Sequence, residues 1–155
     1  MTQTTDRSRW QRLPLWLAAL WWGSLSATGF WVVPLLFVNL PTPAMAGTMA
    51  AKLFSAQTWV AVVCGMGLLL AGTAHQRDAT GAPQQAEIKA SAQLTLGFVA
   101  LGMLLALLSE FAVSPRIVAR ENLALWHGLG SGMYLLQWVC AGVVFWRLGH
   151  APRVA

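Results

Sequence analysis

An all-α integral membrane four-helix bundle is the fold class this sequence predicts, and three observations carry the prediction. The chain is 57% hydrophobic and only 10% charged, a balance that leaves too little polar surface for a soluble domain. Its apolar residues gather into four stretches of roughly 20 residues, the length that crosses a hydrocarbon core about 30 Å thick. Breaks rich in proline or polar residues separate those stretches. In a chain of 155 residues, four crossings and short connections use nearly the whole length. A single membrane domain over 1–155 is therefore expected, with no separate soluble domain.

The first stretch, 15–40, follows a polar start that holds Arg7, Arg9 and Arg12. Signal peptides share that arrangement, and Ala44-Met45-Ala46 ahead of Gly47 resembles a cleavage sequence. The apolar run, however, is about 26 residues against the ~7 to 15 of a signal peptide, which favours a retained span. A helix of that length, about 39 Å, must tilt or bend, and Pro34 marks a kink. Pro41-Thr42-Pro43 stops it. Ala44 to Ser55 then reads as a short amphipathic helix at the membrane surface, and the second crossing occupies 57–74. From His75 to Lys89 the chain is polar, with Gly81 and Pro83 at its centre, and reads as the most exposed loop. The third crossing occupies 90–111 and ends before Ser114-Pro115. Asn122 can cap the fourth, 123–146. No internal repeat is evident along the sequence.

Charge orients this frame. With the N-terminus inside, Arg7, Arg9, Arg12, Arg77, Lys89, Arg147 and Arg153 fall on the cytoplasmic side and only Lys52, Arg116 and Arg120 outside. The positive-inside rule then puts both termini in the cytoplasm of a bacterial inner membrane. The net charge of +5 is scattered over termini and loops, which fits an anionic bilayer and not nucleic acid. Trp10, Trp16, Trp21, Trp126 and Trp146 fall near predicted span ends, where indole can sit at the interface, while Trp31 and Trp138 lie deeper. Cys64 and Cys140 lie inside apolar stretches, as packing residues and not as a disulfide framework.

Hydrophobic force between helices is small in lipid, so close approach through small residues and shared hydrogen bonds must hold the bundle. At ~100° per residue, Ser24 and Thr28 share a face of the first helix with Trp31, Leu35 and Asn39. Ala61, Gly65 and Gly72 share one on the second, and Gly102 lies on the small-residue face of the third. On the fourth, Gly128 and Gly132 form a Gly-x-x-x-Gly pair beside Ser131. Asn39, Glu110 and His127 come to similar depths near the outer ends of the first, third and fourth helices. An acid and an imidazole near hydrocarbon are costly unless paired or wet, which makes these residues a candidate polar cluster, with Arg116 or Arg120 neutralising Glu110.

No Cys-x-x-Cys, phosphate-binding glycine loop or nucleophile with a recognisable base is present, so soluble-type enzymology is not expected. No cofactor is expected either. Bis-histidine ligation of a haem through His127 is disfavoured, because His127 lies on the opposite side from His75 and His150, which leaves only the latter two as a pair. The methionines show no ligand spacing for a soft metal.

Trp22-Gly23, Val33-Pro34-Leu35-Leu36-Phe37, Ala46-Gly47 leading to Leu53-Phe54, and Pro115-Arg116-Ile117 followed by Trp126-His127-Gly128 carry a family resemblance. With these residues the chain resembles bacterial members of the transmembrane protein 205-like family, itself a domain of unknown function. The resemblance implies a four-helix integral membrane protein with Pro34, Glu110 or Arg116, and His127 as functional positions. Similar sequences are expected to carry a polar residue such as asparagine further along the last helix, where this chain has Tyr134 and Gln137. Three functions follow as expectations. The first is a non-enzymatic component that packs against a second copy or another membrane protein. The second is a small transport or metal-handling protein with an outward-facing polar pocket. The third is a haem-bearing redox protein.

Overall fold

The computed structural model describes residues 3–77 and 83–150, with side chains over 12–73 and 89–150. Every described secondary-structure element is a helix. Helix α1 (Gln3–Ala27) passes through a wide π-helical turn, Thr28–Val32, into α2 (Val33–Asn39). Helix α3 (Pro43–Arg77) returns. Helix α4 (Pro83–Leu108) passes through a second π-turn, Ser109–Val113, into the short α5 (Ser114–Val118), and α6 (Leu123–Gly149) completes the bundle. Four segments are long and apolar enough to cross a membrane: Arg12–Asn39, Pro43–Thr73, Lys89–Val118 and Leu123–Gly149.

The surface helix expected between the first two spans is not a separate element, because α3 runs unbroken from Pro43 to Arg77. Nothing from Ser55 to Thr58 can stop a helix, since no proline or glycine falls there. Its start is fixed by Pro43 in the first turn and by Thr42, whose Oγ1 accepts from the Met45 backbone N–H at 3.3 Å and whose carbonyl accepts from Ala46. At ~1.5 Å per residue the helix is about 52 Å long and must project beyond a ~30 Å hydrocarbon core. The polar stretch expected as a loop over 75–89 is helical up to Arg77 and again from Pro83, so only 78–82 fall outside the described residues. Asn122 stands at the N-cap of α6, yet its side chain makes no capping bond; its backbone is left-handed, φ 33°, and its carbonyl accepts from Trp126. Asparagine tolerates that conformation better than most residues.

Both π-turns precede a proline. Val33 donates to the Thr28 carbonyl and Ser114 to the Ser109 carbonyl, five residues back in each case, and Pro34 and Pro115 follow in the first turn of the next helix. A proline inside a helix lacks an N–H and crowds the carbonyl four residues earlier, so a wider turn just before it relieves the clash without ending the helix. At Pro34, where the sequence leads one to expect a kink, the structure has this wide turn.

Helices α1, α3, α4 and α6 stand in a square, α1 and α4 each packing on both α3 and α6. Trp21 crosses the centre from α1 to lie on Gly102 of α4. It is fully buried, so it is a core knob and not the interfacial residue expected. The core around Trp21 consists of Ala18, Leu25, Ala61, Cys64, Leu68, Val99, Ala106, Ala141 and Val144. Both cysteines are buried and free. Away from the π-turns, Arg147 of α6 closes on α4: its Nε donates to Thr95 Oγ1, and its Nη2 to the Ser91 carbonyl and hydroxyl, all at 2.9 Å.

Candidate functional site

Besides the Arg147 bonds to Ser91 and Thr95, polar side chains within the spans gather near the two π-turns. On the second turn, the partly buried Glu110 accepts a hydrogen bond from Ser55 Oγ of α3 at 2.8 Å. The same turn carries Ser109, whose buried hydroxyl has no partner. On the other side of α3, Gln57 is buried and its Nε2 donates to Ser24 Oγ at 3.0 Å, while Thr28 Oγ1 of the first π-turn lies 3.5 Å from Gln57 Oε1. Ser24 in turn donates to the Trp21 carbonyl at 2.9 Å.

The first π-turn is also reached from across the bundle. Tyr134 of α6 donates its hydroxyl to the Leu25 carbonyl at 2.7 Å, the position that the Gly29 amide would occupy in a regular α-helix. The Gly29 amide faces the same phenolic oxygen. A side chain inserted into the helical ladder is one of the few things that opens it. Gly29 is what admits the ring, because a Cβ there would lie 2.6 Å from Tyr134 Cε1. Tyr134 also meets Phe54 of α3 edge to face at 5.2 Å, and Trp138 Nε1 on the next turn of α6 donates to Ser26 Oγ at 2.8 Å.

The four residues expected to converge have separate partners. Asn39 is exposed and donates Nδ2 to its own helix at the Leu35 carbonyl, 2.8 Å. Arg116 donates to the Ala112 carbonyl and lies over the Trp126 ring at 4.5 Å. His127 is exposed. Among the described residues, no hydrogen bond or ion pair joins any of Asn39, Glu110, Arg116 and His127 to another of them. Ser55 meets Glu110, while Gln57, Tyr134 and Trp138 meet the first π-turn. Ser55 and Gln57 are polar residues inside an apolar helix, and that signal is legible once the helix is known to run through them.

The expected packing residues divide in two. Gly65 lies against Met103, Gly72 against Leu96, and Gly102 against Trp21 and Cys140, and Ala61 is fully buried. Gly128 and Gly132 have no atom within 4 Å of a built Cβ, and Ser131 is exposed. Close approaches not foreseen occur at Gly29, at Gly67 against Leu17 and at Gly142 against Trp22. Among the described residues no three His, Cys, Asp or Glu side chains group to hold a metal. His150 stacks on Trp146 and hydrogen-bonds its own helix; its pairing with His75 lies outside the described side chains.

Four helices that each suffice to cross a bilayer, packed in a square around a shared core, make the arrangement of a multi-pass helical membrane protein. The chain belongs to the family described as a domain of unknown function, DUF4149, which matches residues 16–125. No curated protein and no solved structure matches it.

Proposed function

We propose that the chain forms a single membrane domain in the bacterial inner membrane, with both termini in the cytoplasm, and that it takes up a small monovalent cation at Glu110. The observation behind this reading is the setting of that carboxylate. Glu110 is partly buried on a π-turn and held by Ser55 from another helix at 2.8 Å, and no basic side chain among the described residues comes within ion-pair distance. A carboxylate beside hydrocarbon is costly until its charge is compensated. One negative charge is balanced by one positive charge, and the carboxylate and the Ser55 hydroxyl oxygen beside it suit a hard cation better than a soft metal. π-turns are also frequent at functional sites. The positive-inside distribution supports the orientation. Trp22-Gly23 and Trp126-His127-Gly128 support kinship with the transmembrane protein 205-like proteins. The lipid bilayer is its immediate partner, and neither nucleic acid nor a haem enters this reading.

Uptake into proteoliposomes under an inside-negative potential, followed with internal indicators for H+, Na+ and K+, tests the proposal. One of the three ions should enter, and Glu110→Gln, which keeps the shape and a hydrogen-bonding oxygen, should slow entry at least tenfold. No entry of any of the three, or equal entry with Glu110→Gln, would remove the reading.

A second reading, an interaction component, is favoured by the open face at Gly128, Ser131 and Gly132. Small residues that meet nothing within their own chain are suited to close approach by another helix, from a second copy or another membrane protein. Leucine at both glycines should then leave the fold intact but reduce the oligomer counted by single-molecule photobleaching in native nanodiscs. An unchanged count would reject this reading.

A further inference from the structure

The two π-turns share a sequence pattern. Thr28-Gly29-Phe30-Trp31-Val32-Val33-Pro34 and Ser109-Glu110-Phe111-Ala112-Val113-Ser114-Pro115 share a hydroxyl residue, a Phe, a Val and a Pro at matching places. In each, the wide turn opens on the hydroxyl residue and closes on the valine. The spacing that carries Thr28 onto Ser109 also carries Ala18 onto Val99, Trp21 onto Gly102 and Leu25 onto Ala106, and all six of these are buried. On the returning helices, a spacing one residue shorter carries Phe54 onto Tyr134, Gln57 onto Gln137, Ala61 onto Ala141 and Cys64 onto Val144. The last three pairs are again buried throughout. Most of the core therefore consists of matched pairs.

Matched residues also meet each other. Trp21 lies on Gly102, and the Phe54 ring meets that of Tyr134. Two related positions touch when the symmetry axis passes between them, and here that happens at two levels of the bundle. The square arrangement agrees, because an axis down its centre exchanges α1 with α4 and α3 with α6. Across the halves run the bonds of Ser55 to Glu110, Tyr134 to Leu25 and Trp138 to Ser26. Within the halves run those of Gln57 to Ser24 and of Arg147 to Thr95. One difference matters chemically: Glu110 stands where the first copy has Gly29.

We infer that the chain is two copies of one helical hairpin, residues 12–70 and 93–150, related by a pseudo-two-fold axis along the membrane normal, and that the cation passes along this axis as the hairpins rock against each other. The inference deepens the cation reading of Glu110 and rests on it. Parallel repeats with this relation are a known plan for membrane carriers, whose sites lie at the interface between repeats and are exposed by rigid-body motion of one repeat against the other. In the conformation described, Trp21 on Gly102 and Phe54 on Tyr134 close the axis at two levels. The single acid makes the cycle carry one ion at a time.

Electron-electron distance measurements on the full chain in liposomes test this. Spin labels at Val38→Cys and Val118→Cys, both strongly exposed, report across the hairpins. The pairs Val38→Cys with Met49→Cys, and Val118→Cys with Leu125→Cys, report within them; Cys64 and Cys140 are buried and escape labelling. The cross-hairpin distance should shift or split by about 5 Å, the scale of a one-turn slip, between ion-free samples and samples loaded with H+, Na+ or K+. The within-hairpin distances should stay fixed, and Glu110→Gln should lose the response. One unchanged cross-hairpin distance in all conditions, or within-hairpin distances that move as far, would overturn the inference. Two cross-hairpin populations whose ratio ignores all three ions would sink the cation reading of Glu110 and leave the two-hairpin motion standing.

Discussion

Gly102→Leu is expected to destabilise the folded bundle by about 3 kcal/mol, at the upper end of what overpacking a core costs. A Cβ at Gly102 would lie 2.7 Å from Trp21 Cη2 and 2.9 Å from Trp21 Cζ2, closer than carbon atoms approach. The indole cannot yield easily, because it is fully buried between four helices with Ala18, Ala61 and Ala106 in the same core. Rotating it outward would force one helix off the square. The measurement is reversible unfolding in mixed detergent micelles, where wild type and variant differ in midpoint. Gly97→Leu is the internal control, since a Cβ there meets nothing within 4 Å, and it should shift the midpoint little. Equal shifts for the two would mean that Trp21 is not wedged against α4 as described.

This contrast shows where the sequence is legible and where it is not. Four apolar runs and their breaks predict four crossings, because bilayer thickness imposes a length that composition records directly. Glycine spacing predicts that Gly65, Gly72 and Gly102 will be contacts, but it predicts the same of Gly128 and Gly132, which face open space. Spacing gives the face of a helix, while the neighbour that fills it depends on helix rotation, which no single segment encodes. Depth alone groups Asn39, Glu110 and His127 as a candidate cluster. Depth places all three at one end, yet angle sends Asn39 to its own helix and gives Glu110 to Ser55. Ser55 lies outside the predicted span 57–74 and Gln57 stands at its first position, so neither reads from the sequence as a polar residue within a span. The π-turns are legible only as Pro34 and Ser114-Pro115, since a proline announces a distortion without saying whether the helix bends, ends or widens. Once both turns are seen to widen, the two copies of the hydroxyl-x-Phe-x-Val-x-Pro sequence stand out.

The first π-turn should also depend on Tyr134, in two separable steps. Tyr134→Phe keeps the ring against Gly29 and Phe54 and removes only the hydroxyl that holds the Leu25 carbonyl. Interhelical hydrogen bonds inside membranes average about 0.6 kcal/mol, so the cost should stay below about 1.5 kcal/mol. Tyr134→Ala also removes the ring, leaving a cavity beside Gly29 and an unpaired carbonyl, and by analogy with buried aromatic truncations should cost about 3 kcal/mol. Stability alone does not identify the cause, so amide exchange at Gly29 supplies the second readout. With the tyrosine hydroxyl gone, the Gly29 amide can return to the Leu25 carbonyl, the turn can narrow to a regular α-helix, and exchange there should slow in Tyr134→Phe despite its lower stability. Slower exchange in a less stable protein is hard to obtain from general loosening. Faster exchange at Gly29 in step with its neighbours would instead mean that Pro34 alone sets the wide turn and that Tyr134 merely packs against it.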